Sequence, residues 1–205
     1  MTEINFRGKV IGLTGGIGSG KSTLASLLEK WGAFILDSDK TAQKVVLKGT
    51  KGFQEIIDCF GKEIVAQDGE IDRAKLASII FHNREKKQIL EKIIYPLIKE
   101  WDKEEINTAF ARNKETVIIK NSPLLIESGL YMHCYKTILI VAEEPIRMKR
   151  ILKSRPLMSK ERIEATIRAQ MNDEDKKKYA DFVIENNHSR AHLAKIAEKI
   201  ILPYF

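Results

Sequence analysis

The chain has 205 residues, of which 43% are hydrophobic and 31% charged, and a formal net charge of +7. That apolar fraction excludes wholesale disorder, and no apolar run approaches the ~18 residues that cross a bilayer. A basic surface attracts polyanions of several kinds, so charge alone does not choose a partner.

In chain order, residues 9–14 (Lys-Val-Ile-Gly-Leu-Thr) read as a short buried strand. A glycine-rich run follows at 15–20. Leu24, Leu27, Leu28 and Trp31 then recur at the spacing of a core-facing helix, with Gly32 placed to end it. Residues 33–36 are the second predicted strand, running out into Asp37-Ser38-Asp39. Strand, glycine loop, helix and strand together predict a parallel α/β sheet. From about 40 to 112 the pattern is helical, with breaks expected at Gly61, Asp68-Gly69 and Pro96. Phe53, Ile56, Ile57 and Phe60 mark one helix there, and Ile89, Leu90, Ile93 and Ile94 another. β-Branched runs at 116–120 and 137–141 predict two more strands. Residues 143–178 are densely charged and helical, and a last strand at 181–185 precedes a helix carrying Leu193, Ile196 and Ile200. The helical and charged stretches read as insertions. The division is then a core of 1–40, 113–142 and 179–205, a helical insertion at 41–112 and a charged segment at 143–178.

Gly15-Gly-Ile-Gly-Ser-Gly-Lys21-Ser22 fits G-x-x-x-x-G-K-[ST] between a predicted strand and an amphipathic helix, which is the context a phosphate-binding loop requires. Glycines let consecutive backbone N–H groups converge on one anion, and the helix that follows adds its positive end. The residues expected to bind a nucleotide's phosphates, ATP by the resemblance given below, are Gly16, Gly18, Ser19, Gly20, Lys21, Ser22 and Thr23. Lys21 would reach the terminal phosphates, and the Ser22 hydroxyl would help to hold Mg²⁺. Gly16-Ile-Gly18 also overlaps the start of a dinucleotide fingerprint, but the Lys-Ser ending argues against one.

Asp37 and Asp39 close the second strand, and alternation along an extended chain sends both the same way. A carboxylate there could accept the proton of an attacking hydroxyl or hold a metal-bound water. The plainer reading of Asp39 is a helix N-cap. Arg147, Arg150 and Arg155 could neutralise charge on a transferred phosphoryl group, or form a solvated face balanced by Glu143, Glu144, Glu161 and Glu164. The run Lys176-Lys177-Lys178 reads as surface. His188 and His192 are four apart but lack the glutamate of H-E-x-x-H, and His82 and His133 carry no pattern. Cys59 and Cys134 exclude a disulfide framework, and their apolar flanks predict two small buried side chains. The N-terminal Met-Thr-Glu-Ile-Asn-Phe-Arg has no apolar signal core, so a cytoplasmic protein without membrane contacts is expected. No aromatic-basic platform of the RNA-recognition type is present, so nucleic acid is not an expected partner.

Spacing alone reaches a small P-loop kinase or a related nucleotide hydrolase. The particular residues go further, because the chain resembles the dephospho-coenzyme A kinase family over about 10 to 200. Gly12-Leu-Thr-Gly-Gly-Ile-Gly-Ser-Gly-Lys-Ser-Thr23 is similar to its opening motif, and Asp37-Ser-Asp39 to its Asp-x-Asp. Asp72-Arg73 with Leu76 and Phe81, then Leu90 to Pro96, resembles its coenzyme-binding helices. Pro123-Leu-Leu-Ile-Glu127 resembles its Pro-Leu-Leu-Phe-Glu signature, and Ala169-Gln170, Ala180-Asp181 and Asn186 its C-terminal pattern.

The resemblance implies a P-loop NTPase fold and transfer of the ATP γ-phosphate to the 3′-hydroxyl of dephospho-coenzyme A. Asp39 would be the general base, with Lys21 the second catalytic residue and Ser22 the Mg²⁺ ligand. Arg147, Arg150 and Arg155 would belong to a closing lid, and Arg73, Tyr95, Pro96, Leu124 and Glu127 with Asp39 to the substrate site. ATP and dephospho-coenzyme A are the expected small-molecule partners of a monomer or small homo-oligomer. The chain departs from the family pattern at Tyr95 (usually histidine), Gln43 (often arginine) and Arg147 (usually the lid glutamine). Arg150 and Arg155 are also one residue further apart than the usual pair, and Asn121 lacks a carboxylate that some members carry. Another small P-loop kinase, for a nucleoside or shikimate, and a non-catalytic nucleotide-binding regulator are the rival readings.

Overall fold

The computed structural model describes residues 10–81 and 83–205. Lys9, the N-terminal run and His82 lie outside the described residues. The chain groups into two compact units, one of residues up to Leu36 together with Ala109 onward, the other Asp37–Thr108.

The first unit is built on β1 (Val10–Thr14), α1 (Lys21–Lys30) and β2 (Phe34–Asp37, shared with the second unit at its last residue). The second unit supplies α2 (Ser38–Lys44), α3 (Lys51–Phe60), α4 (Arg73–Phe81) and most of α5 (Arg84–Arg112). The chain then returns through β3 (Ile118–Asn121), β4 (Lys136–Val141), α6 (Glu144–Ser154), α7 (Lys160–Ala169), α8 (Asp173–Lys177), β5 (Phe182–Glu185) and α9 (Arg190–Ile201).

The five strands lie in the order β2-β3-β1-β4-β5. β1 is central and parallel to both neighbours, with Ile11 opposite Ile119 on one side and Leu13 opposite Ile138 on the other. All five residues of β1 are buried. A parallel sheet needs helical crossovers, which cover both faces, and this is why the central strand is buried along its whole length and does not alternate. Leu24 and Leu28 of α1 and Leu193, Ala197 and Ile201 of α9 pack on Ile11, Leu13, Ile119, Ile138, Ile140 and Ile184. Leu24 and Leu28 are fully buried, and each such side chain stabilises the fold by roughly 1.5–3 kcal/mol.

The helical unit has its own core of Ile56, Phe60, Ile64, Ile71, Leu76 and Leu90. Gly61 and the turn at Asp68-Gly69 interrupt its helices as expected, but Pro96 does not. It lies inside α5, which continues through to Arg112. Proline removes the hydrogen bond to the carbonyl of Lys92. Both Lys92 and Pro96 are exposed, so water can satisfy the freed carbonyl and the helix need not end.

The cysteines also depart from expectation. Cys59 is exposed on α3 and Cys134 is only partly buried, because α3 turns Ile56 and Phe60, not Cys59, into the core. Among the described residues, no helix is long and apolar enough to cross a membrane.

Candidate active site

β1 feeds the glycine loop and α1 leaves it. Gly20, at the N-cap of α1, has φ +102°, a left-handed conformation that costs an ordinary L-residue roughly 1–2 kcal/mol. A Cβ there would also collide with Nδ2 of Asn186. The side chains of Asp37, Thr50, Ser159, Asn172 and Ser189 cap α2, α3, α7, α8 and α9. α1 has no side-chain cap. Its first N–H groups are therefore suited to an anion held in the loop, which fits a nucleotide phosphate.

Lys21 opens α1, and its Nζ donates to Oδ1 of Asn121 at 2.6 Å. Asn121 is the buried last residue of β3, so the strand beside β1 aims the lysine. Ser22 is exposed in the first turn of α1, and Thr23 is partly buried. Among the described residues, no group of three or more His, Cys, Asp or Glu side chains is placed to hold a metal. The Ser22 hydroxyl stands at the P-loop position that suits a Mg²⁺ ion taking most of its ligands from phosphate oxygens and water.

Side chains from distant segments brace the loop. The Ser19 carbonyl accepts from Asn186 Nδ2 at 2.8 Å and from Arg150 Nη1 at 3.4 Å. Ile17 is held from both sides: its N–H donates to Gln170 Oε1 at 2.9 Å, and its carbonyl accepts from Arg147 Nε at 2.8 Å. Arg147 is only 7% exposed and lies over Gly16, where a Cβ would collide with the guanidinium. Its Nη1 is 3.5 Å from Asp173 Oδ2. The solvated-face reading therefore fails for Arg147. Arg150 is half-buried and reaches the loop, and Arg155 stands exposed at the end of α6.

Residues 123–127 pack beside the end of β1. The Ser122 N–H donates to the Leu13 carbonyl at 3.0 Å, and Thr14 Oγ1 donates to the Pro123 carbonyl at 3.4 Å. Leu125 is fully buried and Leu124 is exposed. Glu127 pairs with Lys176 at 2.9 Å, and Lys176 also donates to the Pro123 carbonyl at 3.4 Å. Lys176 is 0% exposed, which overturns the surface reading of the Lys176-Lys177-Lys178 run. On a helix, three consecutive residues point in three directions, and here one of them points inward. Lys176→Met keeps the stem but removes the ammonium. It is expected to lower unfolding free energy by about 1–3 kcal/mol, as for one buried partner lost, read from denaturant melts.

Asp181 ties β5 to β4, accepting from the Thr137 N–H at 2.8 Å and from Lys136 Nζ at 2.9 Å. Burial pushes its carboxyl up, but Lys136 and the Thr137 amide outweigh this and hold it below the usual carboxylate range.

The remaining expected site residues belong to the helical unit. β2 ends at Asp37, and Asp37 is the N-cap of α2, accepting from the N–H groups of Asp39 and Lys40. Asp39 is thus not a strand residue alternating with Asp37. It lies exposed in the first turn of α2, and neither is it the N-cap. Thr41 Oγ1 donates to the Asp37 carbonyl at 3.1 Å and to Asp102 Oδ1 at 3.5 Å, fixing α2 against α5. Arg73 is exposed at the start of α4, and Tyr95 and Pro96 are exposed on α5. Partial burial and then the neighbouring Glu91 push the Tyr95 phenol up.

The model of the dephospho-CoA kinase family (CoaE) matches residues 9–192. The chain belongs to the dephospho-CoA kinase family. A curated dephospho-CoA kinase from Listeria innocua is 41% identical over 182 residues, 89% of this chain and 90% of that one. The crystal structure of TT1252 from Thermus thermophilus covers 96% of this chain and 97% of its own, at 33% identity and a TM-score of 0.82. Dephospho-CoA kinase from Campylobacter jejuni covers 94% and 95%, at 30% identity and a TM-score of 0.70. Within this family the chain is a P-loop nucleotide-binding kinase that acts on small molecules. Asn121, Gln170, Asn186 and Lys176 hold the loop and the 123–127 segment. Spacing could not find them, because they act across about a hundred or more residues in all but the Lys176 contacts. Only the family resemblance marked Gln170 and Asn186.

Proposed function

We propose that this chain transfers the γ-phosphoryl group of ATP to the 3′-hydroxyl of the dephospho-coenzyme A ribose. The observation that carries the proposal is family membership over nearly the whole chain, together with an intact, braced phosphate loop. Gly16, Gly18, Ser19, Gly20 and Thr23 line or follow the turn that would cradle the phosphates. Lys21 would lean on the terminal phosphates from its anchorage on Asn121. Ser22 would hold Mg²⁺, which, when bound, neutralises charge on the β- and γ-oxygens. Asp39 would accept the proton of the attacking hydroxyl. Arg73, Tyr95, Pro96, Leu124 and Glu127 would contact the acceptor. Residues 41–112 would form the coenzyme-binding insertion. Residues 143–178 would form the lid that carries Arg147, Arg150 and Arg155, its part beyond Arg147 closing over the site, and exclusion of water by such closure suppresses ATP hydrolysis. A cytoplasmic enzyme fits these substrates.

The test is ADP release with Mg-ATP and dephospho-coenzyme A, adenosine, shikimate or no acceptor, with mass spectrometry of the products. One added phosphate on dephospho-coenzyme A alone is expected. A phosphate on adenosine or shikimate instead would assign the chain a different acceptor. Nucleotide binding with no acceptor-dependent ADP would leave it a regulator.

A further inference from the structure

The geometry points to Arg147 and Gln170 as a two-sided clamp on Ile17, a pair of positioning residues that sets the shape of the phosphate loop. This rests on the loop's role in nucleotide binding and not on the identity of the acceptor. Ile17 is the loop residue whose backbone both donates to and accepts from the charged segment. Its N–H goes to Gln170 at the end of α7 and its carbonyl to Arg147 in α6. Arg147 also reaches Asp173 at the start of α8, so a third helix braces the arginine that holds the loop residue. A backbone amide that turns toward Gln170 cannot turn toward the phosphates. The clamp therefore decides which way this peptide faces and leaves the remaining loop amides to the anion.

Buried Arg147 is not a mobile charge waiting for phosphate. Its Nε and Nη1 already face a carbonyl and a carboxylate, a geometry that lysine cannot reproduce with one ammonium. The part of the charged segment beyond the clamp differs. Arg155, Pro156 and Leu157 are exposed, Leu157 completely. Motion of that segment would thus pivot at Ile17, with the distal hairpin moving and the roots of α6 and α7 fixed to the loop.

The variants that test this are Arg147→Lys, Gln170→Met and the double variant, with affinity for ADP measured by calorimetry and amide exchange followed in the peptide covering 15–20. Each single variant is expected to weaken ADP binding about tenfold, the loss that follows from about one broken hydrogen bond to the loop. The double variant should lose less than the product of the two, because both act through Ile17. Exchange should rise in the loop peptide, with β4 and α9 unchanged, which a general loss of stability would not produce. Wild-type affinity in Arg147→Lys would mean that Arg147 contributes only charge, and wild-type affinity in Gln170→Met would remove the amide contact. Either result overturns the clamp while ADP binding by the wild-type chain still supports the loop. If a single variant melts before binding can be measured, loop exchange in the other decides. Unchanged loop exchange there also overturns the clamp.

Discussion

Lys21→Ala is expected to lower turnover by roughly 10²–10³-fold, the range for removing one preorganised donor from the charge developing in a transition state. The ammonium is the one side-chain cation in the loop motif itself. It is already aimed, since its bond to Asn121 at 2.6 Å fixes it from the neighbouring strand. The loop amides and the uncapped start of α1 remain in the variant, so nucleotide should still bind. Turnover should therefore fall by more than ATP affinity does, because charge spreads onto the phosphoryl oxygens as the bond breaks. Lys21→Arg should not restore activity, as a planar guanidinium cannot occupy the place of a compact ammonium against Asn121. The check is kcat from ADP release at saturating acceptor, alongside the dissociation constant for ADP. Near-wild-type turnover in Lys21→Ala would remove this residue from phosphoryl transfer.

What could be read in the sequence divides along a physical line. Short-range patterns announce themselves: the apolar run of β1, the Leu24-Leu28 stripe of α1, and the glycines whose backbone conformation only glycine adopts freely. The sheet followed from them, because a strand feeding a phosphate loop and a helix requires a parallel partner. Patterns that depend on what lies opposite in space were not legible. Lys176 is chemically identical to its two neighbours in sequence and differs only because α8 turns it toward Glu127. Pro96 reads as a stop, but a helix tolerates it when the freed carbonyl faces water. Arg147 reads either as an arginine for a phosphoryl group or as one more charge on a solvated face, and only the position of Ile17 shows its buried contact with the loop. The helix start at Ser38 was obscured because Asp37 and Asp39 are equally good caps in isolation. The backbone bends at Asp37, and this decides which of the two caps the helix and leaves the other exposed in its first turn.

That division of labour makes Asp39→Asn the sharper experiment. Asparagine keeps the size and polarity of the side chain but cannot accept the proton of an attacking hydroxyl. A loss of roughly 10²–10⁴-fold in kcat is expected at saturating ATP and acceptor, the range for removing a general base. Asp39 is exposed in the first turn of α2, and surface substitutions of this kind change stability by only about ±0.5 kcal/mol. The melting temperature should therefore hold while turnover falls. Asp37→Asn is the matched control, since asparagine caps a helix as well as aspartate does. It should preserve the start of α2, and a far smaller effect on kcat would separate the two carboxylates. Retained turnover in Asp39→Asn would exclude it as the base. Equal losses in both variants, with the melting temperature falling, would instead mean that the 37–39 turn matters for its shape and not for a proton.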